Sequence, residues 1–302
     1  MNKAYRRMLA KDNFDKAKSR ARISGVLNTF APDRQRLLSL DEVREIIKPK
    51  TEAYRGIRQV RIDKIVGSEG RYKDFNKAFL PKKELLRGRW ESIDIAHAES
   101  INLPAVWLYE LGGVFFVRDG NHRVSVAKSV GAVEIDAEVS TLDTDIELRP
   151  DMSVEDIKKS VILFERSQLF KNTDLGDVIS PEKLVFTATG RYGELLKQIE
   201  VHKYYINQDQ SEEISFSDAA ASWYEKLYLP IVEVIERRKL MARFPGRTSS
   251  DLYMWMINHW HFMKGKHGDG YPLESAILNF SERFGKRWWE RFLVILDRLA
   301  QR

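Results

Sequence analysis

The sequence predicts an α+β domain flanked by basic helices and followed by a mainly α-helical region. Three observations carry this. Residues 58–66, RQVRIDKIV, alternate apolar and polar as a half-buried strand does, with Val60, Ile62 and Ile65 on one face. Val114–Val139, VFFVRDGNHRVSVAKSVGAVEIDAEV, reads as a strand, a tight polar turn, a short helix and a second strand. After Arg149-Pro150 strand patterns become scarce and helical ones dominate. The chain therefore divides into an N-terminal helical arm over residues 1–50, an α+β domain over 51–150 and a helical domain over 151–302, with the second boundary near 145–155.

Bulk composition narrows the classes. At 302 residues two domains are the natural expectation, and 43% hydrophobic residues with seven Trp and fifteen Phe suffice for real cores. The absence of cysteine excludes disulfides, thiol catalysis and cysteine-based zinc sites. The first twenty residues are charged throughout, so no ordinary secretory signal is expected, and no window of about 18 uncharged apolar residues could span a membrane. A cytoplasmic protein without a membrane partner is the expectation. Net charge is +6, from 50 basic and 44 acidic residues. That permits contact with nucleic acid or nucleotides and equally describes a mixed, solvated surface.

Residues 2–30 read as a basic helix whose apolar face is Tyr5, Met8, Leu9, Ala17 and Ala21. It is either a nucleic-acid-binding arm or a solvated helix packing across a domain. A second helix, 40–47, opens on a Ser39/Asp41 cap signal and stops before Pro49. The strand at 58–66 runs into a flexible polar loop, Gly67-Ser68-Glu69-Gly70-Arg71, and helical material follows at 82–98. Strands 105–110 and 114–118 join through Leu111-Gly112-Gly113, whose glycines supply the positive φ of a hairpin turn. Helix 121–130 ends on Gly131, and strand 134–139 closes the unit. Further helices are predicted at about 153–166, 191–202, 216–240, 250–264, 272–284 and 286–300. Ser215 with Asp218 and Thr248 with Asp251 give capping boxes, and Pro230 interrupts 216–240. Trp223, Tyr224, Leu227, Ile231, Val234 and Ile235 make a buried helical face.

The chemistry concentrates in the turn Asp119-Gly120-Asn121-His122-Arg123. A helix start presents unpaired N–H groups and a positive dipole end, and an arginine beside it can hold phosphate oxygens in two places. Phosphate is therefore the ligand expected. His259-Trp260-His261, with His267 nearby, does not suit a metal, because residues two apart on a helix point to different sides. The aromatic run Trp255, Trp260 and Phe262, with Trp288-Trp289, fits a core better than a base-stacking platform. Arg237-Arg238-Lys239 reads as a solvated helix end or a phosphate-backbone contact.

The stretch LPAVWLYELGGVFFVRDGNHRVSVAKSVGAVEIDAEV, preceded by VRIDKIVGSEGRYKDFNKAFLP, resembles the ParB/sulfiredoxin-like superfamily over about residues 57–140. The resemblance implies that fold for the α+β domain. For the turn it implies a nucleotide pocket, for CTP with Mg2+ in ParB proteins or for ATP or ADP in the kinase-like members. Asn121 stands where the sulfiredoxin turn has cysteine, which excludes sulfinic acid repair by that route. DGNHR is closer to the D-G-H-T-R turn of kinase-like and phage members than to that of chromosomal ParB. No helix-turn-helix is evident after residue 150; the nearest candidate, 276–296, lacks the glycine turn.

Roles follow from the resemblance and the residue chemistry together. Arg123 grips phosphate or pairs with a carboxylate. Asp119 holds Mg2+, orients Arg123 or bonds its own backbone. Gly120 gives backbone freedom, and Asn121 caps the helix or touches the ligand. His122 donates to phosphate or moves a proton. The resemblance brings Glu69, Arg71 and Ser68 beside the turn, with Glu69 as a general base and Arg71 as a second phosphate contact. The expected function is a nucleotide-binding ParB-like regulatory protein, with DNA as an additional partner and a homodimer allowed. The rival expectation is a nucleotide-dependent phosphotransferase acting on a small hydroxylated molecule, with Glu69 as base and His122 and Arg123 stabilising the transferring group.

Overall fold

Backbone pairing first decides which apolar runs become sheet. The computed structural model describes residues 2–27, 36–208 and 211–285, and the chain forms two compact units, Met1–Val161 and Ile162–Arg302. The first unit holds α1 (Lys3–Leu27), β1 (Leu38–Ser39), α2 (Leu40–Ile47), β2 (Glu52–Arg61), β3 (Ile65–Ser68), α3 (Arg87–Ala98), β4 (Val106–Leu111), β5 (Val114–Asp119), α4 (Asn121–Ser129) and β6 (Glu134–Leu142). The strands make one mixed sheet in the order β1-β3-β5-β4-β6-β2. This is α+β architecture.

The predicted single strand at 58–66 is two strands. A 3₁₀ turn, Ile62–Lys64, separates β2, which pairs antiparallel with β6 at one edge, from β3, which lies between β1 and β5. Val60, Ile62 and Ile65 are all buried, but the turn carries them into the core rather than one strand's alternation. Gly67 and Ser68 belong to β3 and are not flexible loop. A Cβ on Gly67 would lie 2.3 Å from the Phe116 ring and 2.6 Å from the Leu38 carbonyl oxygen, so only glycine lets β3 approach so closely. The β4–β5 hairpin turns on Gly112 and Gly113 at φ 58° and 90°, as a two-residue turn with positive φ at both positions requires.

Two helix predictions change in their details. The buried face of α1 is Ala10, Phe14, Ala17 and Ala21, at helical spacing, while Tyr5, Met8 and Leu9 are exposed. Tertiary packing selected the narrower stripe: Phe14 meets Trp90 of α3 edge-on at 5.7 Å. Several basic residues of α1 are paired, Arg6 with Glu99 and Lys18 with Glu84, so this helix is docked along α3. Ser39 occupies the N-cap position of α2 without a side-chain cap bond.

The core beneath the helices carries one buried polar relay. The Trp90 indole N–H donates to Ser125 Oγ at 2.9 Å, and the Ser125 hydroxyl donates to the Phe79 carbonyl at 2.6 Å. It ties α3, α4 and the loop before α3 together. The other end of α4 closes by a Schellman motif: Gly131 N–H donates to the Lys128 carbonyl and Ala132 N–H to the Ala127 carbonyl, with Gly131 at φ 77°.

The second unit is helical: α6 (Leu175–Val178), α7 (Arg191–Asn207), α8 (Phe216–Trp223), α9 (Leu229–Arg237), α10 (Ser249–His267) and α11 (Leu273–Phe284), with α5 (Val154–Asn172) crossing the division. Trp223, Ile231 and Ile235 are fully buried and Tyr224, Leu227 and Val234 partly so. Thr248 and Asp251 form a complete capping box on α10. Ser215 caps α8, but the Asp218 carboxylate accepts from the Ser215 hydroxyl instead of the backbone. Pro230 has no N–H to offer and crowds the preceding turn; a π-turn at Tyr224–Tyr228 stands just before it and divides α8 from α9. The predicted helix at 286–300, Trp288-Trp289 and the far part of 276–296 lie outside the described residues. Among the described residues no helix is long and apolar enough to cross a membrane.

Removing the relay's middle member tests its weight. Ser125→Ala leaves the Trp90 indole N–H buried without an acceptor, at a cost of about 1–3 kcal/mol. Urea unfolding of the full chain should show that loss, while Ser92→Ala, at an exposed position of α3, should stay within about 0.5 kcal/mol.

Candidate functional site

The end of β5 decides how α4 begins. Gly120, at φ 100°, is the N-cap of α4, and a Cβ there would lie 2.6 Å from Val106 Cγ1. A glycine cap has no side-chain acceptor, so the N–H groups of Asn121, His122 and Arg123 have no side-chain cap. They stand at a cleft of about 390 Å3. Its cationic wall is Arg71, Arg89 and Arg123 with His122; its apolar wall is Leu85, Leu86 and Ile93.

Arg123 lines the cleft as a latch. Its Nη1 donates to the carbonyls of Pro104 and, at 2.9 Å, Ala105, and its Nη2 donates to Asp119 Oδ2 at 2.5 Å. These bonds hold the β5–α4 turn against the strand before it. They leave the positive charge at the cleft wall with fewer free N–H groups than an unattached guanidinium has. Asp119 is the one carboxylate among the described residues lining the cleft. Among the described residues no group of three His, Asp or Glu could hold a metal ion. One carboxylate, already paired with Arg123, makes no Mg2+ site by itself; Mg2+ there would take Asp119 together with the phosphates of a nucleotide.

His122 Nε2 lies 3.1 Å from Arg71 Nη1. A guanidinium only donates, so Nε2 accepts and the neutral ring carries its proton on Nδ1. Nδ1 is buried without a partner. Burial, followed by the charges of Arg71 and Arg89, pushes the imidazole down from its ordinary 6.5 to about 4. It is neutral at neutral pH. Asn121 is 6% exposed, and its amide oxygen is buried with no hydrogen-bond partner. Asn121 therefore does not cap its helix, and it leaves an unsatisfied polar group at the cleft.

Arg71 reaches the site as the sequence suggests, and its backbone N–H donates to Ser68 Oγ at 3.2 Å. Ser68 itself is fully buried, its hydroxyl donating to the Val117 carbonyl and accepting from the Arg71 N–H, so it positions the loop from within the core. Glu69 is not brought into the cleft. Its backbone N–H extends the β3–β5 pairing to Val117, and its charge acts on Tyr109, near Glu52, Arg118 and Arg44. Sequence reading missed Arg89 and the apolar wall. In Leu86-Arg87-Gly88-Arg89-Trp90 the two arginines look alike. Arg87 pairs with Asp15, Glu84 and Glu91, whereas Arg89 makes no ion pair among the described residues.

The other singled-out residues lie in the second unit. His259 Nε2 sits 2.9 Å from Asn279 Oδ1, and Trp255 and Trp260 pack partly buried against the core. Phe262 is exposed, contrary to the core reading. Arg237 and Arg238 both pair with Glu274.

No family model matches the chain, and no curated protein matches it. Among solved structures it is similar to one described as the C2221 form of a Pnob8-like ParB-N domain, at 13% identity over 71% of this chain and 83% of that one, with a TM-score of 0.21. A likeness at that TM-score does not establish a shared fold.

Two outcomes test this geometry. Gly120→Ala must place a Cβ against Val106 in a left-handed conformation, and should destabilise the chain by about 2–4 kcal/mol in a denaturant titration. His122 has a depressed folded pKa, so the unfolded chain takes up the proton first as pH falls. Its share of stability is present above about 6.5 and is lost toward about 4. His122→Gln should flatten the fall in thermal midpoint across that window; an unchanged profile would show that the ring does not titrate this way.

Proposed function

We propose that the first unit is a ParB-like nucleotide-binding domain whose cleft takes the phosphates of a nucleotide at the start of α4. The observation that carries this reading is the glycine-capped helix start at a cleft with Arg89, which makes no ion pair among the described residues. Three backbone N–H groups, the helix dipole and an exposed arginine that makes no ion pair among the described residues converge on one volume, which is what an anion needs. Leu85, Leu86 and Ile93 suit the base and sugar. Arg71 and the latched Arg123 add charge, and the orphaned Asn121 amide oxygen is an acceptor for a ligand hydroxyl or amine.

Binding is favoured over phosphoryl transfer. Transfer needs a base within hydrogen-bond reach of the acceptor. Glu69 lies outside the cleft lining, Asp119 is tied to Arg123, and His122 Nε2 accepts from Arg71. A regulatory role, in which nucleotide occupancy alters contact with DNA, is the reading we adopt; basic residues of α1 that make no ion pair within 4 Å among the described residues, such as Arg7 and Lys11, are the candidates for that contact.

Calorimetry with CTP, ATP, ADP and GTP, with and without Mg2+, against the matching nucleosides tests the reading. At least one nucleotide should bind, its nucleoside about a hundred-fold more weakly, and Arg89→Ala should weaken binding about ten-fold without lowering the thermal midpoint. Affinity should also fall as salt rises. Equal binding of nucleotide and nucleoside, or an Arg89→Ala protein that binds as the parent does, would sink it.

A further inference from the structure

The second unit contains a cavity of its own. About 340 Å3 lies between α7, the α8–π-turn segment and α10. Trp223, Leu227, Tyr253 and Ile257 form its apolar walls. Such a volume suits a small molecule, and helical units place ligands between their helices in this way.

The walls are irregular where they meet the cavity. Leu227 belongs to the π-turn Tyr224–Tyr228, and Trp223 immediately precedes it. A π-turn widens the helix and re-aims its side chains, and such turns recur at functional sites. Here it brings both side chains to the cavity.

Polar groups are few and ordered. The Trp223 indole N–H donates to the Tyr253 hydroxyl at 2.9 Å, and that hydroxyl donates to Gln198 Oε1 at 2.9 Å. This chain uses up the buried polar atoms of the floor and leaves the Gln198 amide NH2 as a donor. His202, also on the lining, bonds Ser222 Oγ at 3.0 Å. Burial, then Lys226, lowers the pKa of His202; burial, then Lys264, lowers that of His261. Both shifts favour the neutral imidazole. The cation on the lining is Lys197, which is exposed and makes no ion pair among the described residues. Val201 and Tyr205 stand exposed at the mouth.

We propose that this cavity is a binding site for a small apolar or aromatic carboxylic acid, its hydrocarbon body between Trp223, Leu227 and Ile257 and its carboxylate at Lys197. The apolar walls take the body, and the Lys197 ammonium on the lining, with the charges of Lys226 and Lys264 beside His202 and His261, selects an anionic head over a cationic one. The Gln198 amide donates to the carboxylate or to a polar substituent near it. The proposal is independent of the nucleotide reading, which concerns the other unit.

The test uses the full chain and named probes: phenylacetate, 3-phenylpropionate and decanoate, each against its primary alcohol and its amine. Binding is followed by tryptophan fluorescence and by amide shifts in NMR spectra. At least one acid should bind, about five-fold tighter than its alcohol, with the amine weakest. Lys197→Gln should remove the preference for acid over alcohol and leave alcohol binding unchanged. Leu227→Trp should fill the cavity and abolish binding of all probes. If that variant loses its fold, Ile257→Phe provides the same block from α10. Binding of no acid, equal binding of acid and amine, or undiminished binding by a folded cavity-filled variant would overturn the proposal.

Discussion

The close approach of Gly120 to Val106 is the constraint on which the first unit's site depends. With φ at 100° and no room for a Cβ, the chain leaves β5 and enters α4 in one residue. Any other amino acid would push the helix start away from β4. The same glycine, having no side chain, leaves the first N–H groups of the helix without an internal acceptor. A steric requirement of the fold and an electrostatic property of the site therefore have one cause. Arg123 reinforces it, because its bonds to the Pro104 and Ala105 carbonyls and to Asp119 hold both sides of the turn.

Behind that turn the core is arranged to keep α4 still. Trp90 is fully buried between α1 and α4, and its single polar atom is satisfied through Ser125 and the Phe79 carbonyl. The Schellman motif at Gly131 fixes the far end. A helix held at both ends and along its buried face presents its N-terminus in one position, and a preorganised donor set loses little entropy when an anion arrives. Low-dielectric surroundings also keep His122 neutral, so the cleft's positive charge comes from its arginines.

The second unit solves a different problem. Its core is rich in aromatic rings, with Trp223, Tyr228 and Tyr253 in mutual contact. Rings bury large areas but carry N–H and O–H groups that need partners. Chains of hydrogen bonds through Tyr253 to Gln198 and from Tyr228 to Ser250 meet that need. The π-turn before Pro230 reorients the wall at which one of these chains ends, and a cavity remains there.

Local rules determined much of this protein. Alternation, glycine pairs, caps and proline marked β4, β5, α4, β6, α2, the Thr248 capping box and the break before Pro230, because each is written within a few residues of itself. The anion-suited turn at Asp119–Arg123 was visible for the same reason: a glycine before a helix and an arginine in its first turn are neighbours in sequence. What lay beyond reach depends on distant partners. RQVRIDKIV reads as one strand until pairing with β6 and β5 splits it across a 3₁₀ turn. Arg87 and Arg89 are equivalent until α1 supplies Asp15 to one of them. Glu69 stands beside the turn by analogy, whereas the β3–β5 register sends it toward Tyr109. Only tertiary structure decided these, since hydrogen-bond register, burial and charge pairing are properties of two segments meeting, and neither segment alone contains them.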